Sequence, residues 1–439
     1  ITDRLYHEAD GKGYIDNGFT HVFLISAEGS GISQLTSGDF NHLGPLSWSK
    51  SNSKIYFTSN RSASWEYEFR NSEIYSVDIN DKKINSLTDR NGPDFSPKAS
   101  PNGKYIAYLG FTDRVQAYQN TQLLIMDSNG NNKRVLSYNI DSSISSFYWS
   151  SDNKGIYFTY DKFGDTKIAF LNLEGNSKDL ANNLGGNSIG RPYGGGSFSV
   201  SKNGVIAYTN TSYNHPSELT VVNGKKTNQI TNLSYELLKN KTLGKVEEVW
   251  YKSSFDNRDI QGWVAYPPNY NPKKEYPFLV ENHGGPISNY GSRFSAEVQL
   301  FAAAGYIVFY PNPRGSTSYG EEFANLLHHN YPAEDYLDVM DGVDFCIKKG
   351  IANENMLYVT GGSAGGSMTA WMIGKNNRFN SAVVVKPVMN WISKTLTADN
   401  YFQYSDTRLD GQSWENFQEY WDFSPISLVG NIETPTMVM

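Results

Sequence analysis

The stretch Met-Leu-Tyr-Val-Thr-Gly-Gly-Ser-Ala-Gly-Gly-Ser, residues 356–367, decides the fold of the second half of the chain. Its first five residues are apolar, aromatic or β-branched, which is typical of a short buried strand. A glycine-rich turn then leads into a helical run that is expected to begin near Ser367. Since a tight turn between a strand and a helix projects its central side chain, the pattern predicts an exposed Ser363.

Ser363 has the surroundings that a nucleophilic serine requires. A serine hydroxyl is a weak nucleophile, so it must reach a base and lie beside hydrogen-bond donors for an oxyanion. The backbone N–H of Ala364, at the start of the helix, would be one such donor. Residues 283–286, His-Gly-Gly-Pro, follow an earlier predicted strand, where the second donor is expected. A tight turn with an incidental serine is the alternative, and the upstream His-Gly-Gly-Pro loop favours a hydrolase nucleophile.

Residues 236–439 are predicted to form an α/β-hydrolase domain with a doubly wound, mostly parallel sheet, because strand-like and helix-like segments alternate along them. The predicted strands lie at residues 246–253, 259–266, 277–281, 306–310, 356–360 and 382–385, and a last one starts at Thr434. The predicted helices lie at residues 294–304, at residues 334–349 and from Ser367 onward.

Residues 1–235 contain a sequence repeat. The triplets Ile-Tyr-Phe or Ile-Ala-Tyr at residues 55–57, 106–108, 156–158 and 206–208 start 51, 50 and 50 residues apart, each after a polar turn. A period of this length with about four short strands per unit is typical of a β-propeller blade. The sequence therefore predicts a partial β-propeller of about four to five blades: four full units and a closing segment near residues 218–233. We expect earlier blades to precede Ile1.

Composition and charge exclude several function classes. The chain has 439 residues and a net charge of −7, with acidic and basic residues interspersed, which argues against a nucleic-acid partner. No long apolar run is free of charges, so no membrane span is predicted. Cys346 is the only cysteine, so the chain can form neither an internal disulfide nor a paired-thiolate metal site, and we expect no metal and no cofactor.

The second half resembles the prolyl oligopeptidase family of serine peptidases, and in particular its acylaminoacyl-peptidase and dipeptidyl-aminopeptidase branch. The matching stretches are His-Gly-Gly-Pro at 283–286, Asn-Pro-Arg-Gly-Ser at 312–316, Tyr-Gly at 319–320, Asp-Val at 338–339, Gly-Val-Asp at 342–344, the glycine-rich turn at 361–366, Lys-Pro-Val at 386–388, Asn-Trp at 390–391 and Ser-Pro at 424–425. With the propeller before it, the resemblance covers nearly the whole chain.

The resemblance implies roles for individual residues. It makes Gly285 (or Gly284) and Ala364 the backbone donors to the oxyanion, and it places Val388 and Trp391 in the pocket for the residue before the scissile bond. Arg314 is a candidate for binding substrate, although an arginine in such a loop more often holds loops together. Short peptides are the implied substrates, with dipeptides or acylated residues released from one end, and a homo-oligomer is compatible with the family.

The order of catalytic residues raises a difficulty. In this fold the chain order is Ser, then Asp or Glu, then His, yet all seven histidines precede Ser363. The acidic residues after it come before the strand whose end should carry the triad acid. We therefore expect the C-terminal part of the catalytic domain to be missing from this sequence, the triad Asp and His to lie beyond Met439, and residues 1–439 alone to be inactive.

Two alternatives to the peptidase stay open. A carboxylesterase shares the same acyl-transfer machinery and differs only in its pocket and cap. A propeller-based binding protein with a degenerate hydrolase domain is the other, although a retired site has little reason to keep a strained turn. The sequence starts at Ile1 without an initiator methionine, so the compartment is open; we favour the cytoplasm, with a periplasmic or secreted protein as the alternative.

Overall fold

The computed structural model describes residues 4–186, 188–400 and 403–439. Its first half consists of small antiparallel sheets that follow one another along the chain. Two of them are two-stranded: β1 (Glu8–Ala9) pairs with β2 (Gly13–Tyr14), and β3 (Phe23–Leu24) pairs with β4 (Ser33–Gln34). Four others are four-stranded, and in each of these the spatial order of the strands equals their order in the chain.

The bounds of the four-stranded sheets follow the repeat seen in the sequence. The first sheet contains β5 (His42–Trp48), β6 (Lys54–Ser59), β7 (Glu73–Asp78) and β8 (Ile84–Ser86). The second contains β9 (Asp94–Ala99), β10 (Tyr105–Gly110), β11 (Gln122–Asp127) and β12 (Arg134–Val135). The third contains β13 (Ile144–Trp149), β14 (Gly155–Lys162), β15 (Asp165–Asn172) and β16 (Ser177–Ala181). The fourth contains β17 (Phe198–Val200), β18 (Ile206–Ser212), β19 (His215–Asn223) and β20 (Lys226–Gln229).

The repeated triplets all lie on the second strand of a sheet, namely β6, β10, β14 and β18. The expectation of a separate closing segment near residues 218–233 is wrong. Most of that stretch belongs to β19 and β20, the third and fourth strands of the fourth sheet, because the chain turns back at residues 224–225 and pairs β19 with β20. The number of blades beyond these four sheets stays a prediction.

Neighbouring sheets bury each other's apolar faces. One cluster joins the second and third sheets, and another joins the third and fourth. In the first of these, Leu109 and Ile125 pack with Phe147 and Phe158. In the second, Ile168 packs with Tyr208 and its neighbours. A sheet of four short strands cannot cover both its faces alone, so this side-by-side packing is what stabilises the repeats.

The second half is built on one seven-stranded sheet in the order β21-β22-β24-β23-β25-β26-β27. The strands are β21 (Val246–Lys252), β22 (Asp259–Ala265), β23 (Phe278–Asn282), β24 (Ile307–Asn312), β25 (Leu357–Gly362), β26 (Ser381–Val385) and β27 (Thr436–Val438). The five strands from β24 to β27 are parallel, whereas β21 and β22 run antiparallel at one edge. The predicted mostly parallel sheet is confirmed.

Helices cover both faces of this sheet. The helices from residue 235 onward are α1 (Tyr235–Leu238), which lies before the first strand of the sheet, and α2 (Ala296–Ala303), α3 (Glu321–Ala324), α4 (Asp335–Lys348), α5 (Ala364–Lys375), α6 (Trp391–Thr397) and α7 (Phe417–Asp422), with 3-10 turns at Asn325–Leu327 and Pro425–Asn431. Phe309 packs with residues of α4 and α5, whereas its neighbours Val308 and Tyr310 pack with Val298 of α2. Alternate residues of a strand thus face different helices, as a doubly wound sheet requires.

The proposed domain boundary at residues 235/236 lies in the connection between β20 and β21, at the start of α1. Within the described ranges, no helix combines the length and the apolar composition that crossing a bilayer requires.

Candidate active site

Ser363 occupies the sharp turn between β25 and α5. Its backbone has φ 58° and ψ −120°, and its side chain is exposed. A Cβ at Gly361 would lie 2.4 Å from the carbonyl oxygen of Gly365, and a Cβ at Gly365 would lie 2.1 Å from the carbonyl oxygen of Asn282. The turn is therefore closed too tightly for side chains on either side of the serine. The helix begins at Ala364, three residues earlier than expected, because the turn is complete in one residue.

The loop at residues 283–286, here called the oxyanion loop, lies directly against this turn. A Cβ built on Gly284 would be 3.5 Å from Cβ of Ser363 and 2.9 Å from the carbonyl oxygen of Gly362. Strand β23 pairs in parallel with β25, so both strands deliver their C-terminal ends to the same edge of the sheet. The sheet register thus brings together the two motifs that the sequence placed 80 residues apart.

Two backbone N–H groups, one in the serine turn and one in the oxyanion loop, have no protein acceptor among the described residues. Among the described residues, neither the N–H of Ala364 nor that of Gly285 makes a hydrogen bond. The N–H of Gly284, by contrast, donates to the hydroxyl oxygen of Tyr193 at 2.6 Å. Of the two glycines named as alternatives, Gly285 therefore has the N–H that remains available to an oxyanion.

His283 is buried within the oxyanion loop, and its ring contacts only protein groups. It is buried, and burial lowers the pKa of its ring to about 4, so the ring is neutral at physiological pH. Its Nδ1 donates to the carbonyl oxygen of Gly284 at 2.9 Å, and its Nε2 lies 3.0 Å from Oγ of Ser316. Both ring nitrogens are thus occupied within the protein.

Val388 and Trp391 lie in one apolar cluster with Ala364, the residue after the nucleophile. Trp391 is 3% exposed and packs edge-on against Tyr331 at a ring distance of 5.9 Å, with the ring of Tyr404 5.6 Å away. The hydroxyl of Tyr331 donates to the carbonyl oxygen of Ala364 at 3.2 Å. The structure therefore brings the two pocket candidates next to the turn and adds two tyrosines that the sequence did not single out.

Arg314 is buried in an ion-pair cluster. Its guanidinium donates to both carboxylate oxygens of Asp338 at 2.8–2.9 Å, and also to Asp256 and to the hydroxyl of Ser253. Its side chain is 3% exposed. These contacts favour the structural role, in which Arg314 holds loops together, over contact with a substrate.

No base is hydrogen-bonded to the nucleophile in the part of the chain that the structure describes. Within residues 4–186, 188–400 and 403–439, the hydroxyl of Ser363 makes no hydrogen bond. His328 and His329 lie with ring centres 3.9 Å apart and contact the backbone carbonyls of Thr407 and Asp406. No group of three histidine, cysteine or acidic side chains in the described part of the chain could hold a metal ion.

Two propeller residues, Arg191 and Tyr193, reach the site, and the sequence analysis singled out neither. Arg191 brings its Nη1 to 2.8 Å from where a Cβ of Gly362 would lie, next to the nucleophile. Tyr193 holds Gly284 as described above. The one available signal is the long glycine-rich connection at residues 185–196, since loops that long without regular structure are often functional.

Arg191 joins a cluster of charged side chains in which Glu281 is buried and Arg191 and Glu297 are partly exposed. It donates to both oxygens of Glu297 at 2.7 and 3.0 Å and lies 3.5 Å from Oε1 of Glu281. The hydroxyl of Tyr290 donates to the same Oε1 at 3.0 Å. Burial raises the pKa of Glu281 to about 8, against the opposing effects of Arg191 and Tyr290. At neutral pH this carboxyl is therefore largely protonated.

Several cavities lie near or within the propeller. One of about 520 Å³ is lined by both domains, including Tyr193 and the hydrolase residues Ile287, Ser288 and Asn289. It lies beside the oxyanion loop. Another of about 950 Å³ is lined only by residues between 4 and 111, so it is separate from Ser363.

Comparisons with known proteins agree with this architecture. A model of the prolyl oligopeptidase family matches residues 292–439, and a model of the dipeptidyl peptidase IV N-terminal region matches residues 8–113. The fold also resembles Pyrococcus horikoshii acylaminoacyl peptidase, with a TM-score of 0.80 at 19% identity, covering 100% of this chain and 67% of that one. The architecture is thus an N-terminal propeller followed by a hydrolase domain.

Two curated relatives illustrate the sequence similarity. The uncharacterized peptidase YuxL of Bacillus subtilis is 33% identical over 299 residues, which is 66% of this chain and 43% of that protein. Dipeptidyl-peptidase 5 of Porphyromonas gingivalis is 25% identical over 407 residues, which is 90% of this chain and 58% of that protein. The chain spans about half the length of the curated relatives it matches. By these comparisons, residues 292–439 belong to the prolyl oligopeptidase family, and residues 8–113 match the N-terminal region of dipeptidyl peptidase IV.

Proposed function

We propose that the protein is a serine-type peptidase that hydrolyses short peptides through an acyl-enzyme on Ser363. One observation carries the proposal. The exposed Ser363 stands on a turn with positive φ, beside two backbone N–H groups, those of Gly285 and Ala364, that have no acceptor among the described residues. A strained turn of this kind persists only where the surrounding structure maintains it, and acyl transfer is the chemistry that uses it.

In the proposed reaction, Oγ of Ser363 attacks the peptide carbonyl and its proton passes to a histidine base. The N–H groups of Gly285 and Ala364 stabilise the negative charge that develops on the carbonyl oxygen. The base then protonates the departing amine, and water hydrolyses the ester left on Ser363. The histidine and the acid that orients it are proposed to come from outside residues 1–439, because every histidine here precedes Ser363.

The proposed substrates are short peptides cleaved near one end, as by a dipeptidyl aminopeptidase or an acylaminoacyl peptidase. Both names occur among the proteins that this chain resembles. The pocket beside Ala364 is proposed to take the side chain before the scissile bond, with Val388 and Trp391 as its apolar wall. The propeller lies over the oxyanion loop, and a cap in this position restricts access to small or unfolded chains.

Labelling with a fluorophosphonate probe tests the proposal. Protein produced from the complete coding sequence would be compared with residues 1–439, with Ser363→Ala and with Ser393→Ala, which removes an exposed serine on α6. We expect the complete protein and Ser393→Ala to label, and Ser363→Ala not to label. A peptidase also cleaves dipeptidyl or acylaminoacyl anilides, whereas an esterase cleaves only esters of the same acyl groups.

Each outcome is informative. Labelling that survives Ser363→Ala would remove the assigned nucleophile. Complete protein that never labels would favour the binding-protein alternative. Labelling of residues 1–439 at the same rate as the complete protein would contradict a base supplied from outside them.

A further inference from the structure

The propeller contributes a nine-residue stretch, residues 188–196, that packs on the hydrolase domain; we call it the docking segment. Its backbone carbonyls accept hydrogen bonds from the first N–H groups of α2. The N–H of Ala296 donates to the carbonyl oxygen of Ile189 at 2.7 Å, and the N–H of Glu297 donates to that of Gly190 at 3.0 Å. The first N–H groups of a helix have no partner within the helix, so these carbonyls act as an N-terminal cap supplied by another domain.

The same segment continues to the oxyanion loop. The N–H of Gly291 donates to the carbonyl oxygen of Pro192 at 3.0 Å, and Tyr193 pairs with Tyr290 through a single antiparallel bridge. The rings of these two tyrosines lie 4.8 Å apart. At the end of this path the hydroxyl of Tyr193 accepts the N–H of Gly284.

We propose that Tyr193, a propeller residue, is a positioning residue for acyl transfer, because its hydroxyl engages the N–H of Gly284 and so leaves the N–H of Gly285 to face the oxyanion. The inference rests on the proposed function of Ser363. Tyr193 touches the loop and not the reacting atoms: its oxygen would be 3.3 Å from a Cβ on Gly284, which in turn would be 3.5 Å from Cβ of Ser363.

The contacts of Arg191 and a backbone hydrogen bond fix the position of Tyr193. Arg191, two residues earlier, forms the bidentate pair with Glu297 and approaches Glu281. The backbone N–H of Tyr193 donates to the carbonyl oxygen of Arg191 at 2.8 Å. A hydroxyl fixed in this way can orient a peptide group, and orientation matters because a displacement of about 1 Å at a catalytic group can cost roughly 100-fold in rate.

A second interface tyrosine provides a matched control. The hydroxyl of Tyr213, also on the propeller, lies 3.0 Å from Nε1 of Trp263, which donates to it, and 2.9 Å from Oγ of Ser292. Tyr213→Phe therefore removes two hydrogen bonds between the domains, and Tyr213 makes no hydrogen bond to the oxyanion loop. If Tyr193 merely helped to join the domains, both variants would behave alike.

The experiment compares Tyr193→Phe with Tyr213→Phe in two measurements. In protein from the complete coding sequence, we expect Tyr193→Phe to lower kcat by roughly 10- to 100-fold with KM within about twofold, and Tyr213→Phe to change kcat less than about twofold. In residues 1–439, hydrogen exchange of the segment 283–291 should accelerate in Tyr193→Phe alone, while both variants melt at similar temperatures.

The two measurements separate the inference from the proposed function. Absence of turnover in the unmodified complete protein would remove the proposed function and, with it, the inference that rests on it. Unchanged exchange in Tyr193→Phe would overturn the inference. Equal losses of kcat in the two variants would also overturn it, since a general effect of the interface would explain both.

Discussion

Glu281→Gln should remove a large part of the loss of stability that the folded protein suffers as pH rises. Glu281 is 1% exposed, and burial raises its pKa from 4.5 to about 8. The groups that face it are the guanidinium of Arg191, the hydroxyl of Tyr290 and, through Arg191, the carboxylate of Glu297. Gln keeps a neutral acceptor for Tyr290 and cannot ionise.

The direction and the size of the change in unfolding free energy caused by Glu281 follow from proton linkage. Between the unfolded and folded pKa values the folded state binds the extra proton, so the stability due to Glu281 is complete below about pH 4.5 and is lost as pH rises through about 8. Each pH unit in this window costs about 1.4 kcal/mol. The wild-type protein should therefore lose up to about 4 kcal/mol between about pH 5 and pH 8 through this one group.

Urea unfolding of residues 1–439 across this pH range, followed by tryptophan fluorescence, measures the slope. We expect the pH dependence of the unfolding free energy to be flatter in Glu281→Gln than in the wild type. Glu248→Gln, which neutralises an exposed carboxyl on the same sheet, should leave the slope unchanged. An identical slope in Glu281→Gln and the wild type would refute a protonated Glu281, as would an equal flattening in Glu248→Gln.

Two further predictions concern stability. Gly365→Ala should destabilise the protein by at least about 3 kcal/mol in urea unfolding, because the new Cβ would lie 2.1 Å from the backbone oxygen of Asn282. Gly430→Ala, whose Cβ would have no atom within 4 Å, should change the unfolding free energy by less than about 0.5 kcal/mol. Equal effects of the two substitutions would contradict the close packing of the serine turn. Asp338→Asn should lower the free energy of unfolding by roughly 3–5 kcal/mol, because it leaves the buried guanidinium of Arg314 with a weaker partner. Adding Arg314→Met to this variant should recover part of the lost stability. A further loss of stability in the double variant would contradict this explanation.

The regular parts of the fold were predictable because they depend on short-range patterns. The 50-residue repeat located the second strand of all four propeller sheets, and the alternation of apolar runs located the parallel strands of the hydrolase sheet. Element ends were less certain. The helix after Ser363 starts three residues early because a single residue with positive φ completes the turn, which a helical apolar pattern does not reveal.

The residues of the candidate site were predictable only where they lie in a recognisable sequence motif. Ser363, the oxyanion loop and the nearby Val388 and Trp391 all lie in recognisable stretches, and the structure brings them together. Arg191 and Tyr193 lie in a glycine-rich connection and meet partners about 90 to 106 positions away in the chain. No local pattern encodes such contacts, and the raised pKa of Glu281 depends on the same long-range packing.

The docking segment also bears on how chains of this architecture can be recombined. A chain made of two domains invites exchange of one domain for that of a relative, since fold and function are often separable. Here the side chain that accepts the N–H of Gly284, Tyr193, is encoded 43 residues before residue 236, where the hydrolase half begins. A chimera joined near residue 235 would therefore lose the contact between Tyr193 and Gly284. The residues that shape the candidate site extend beyond the domain that carries Ser363.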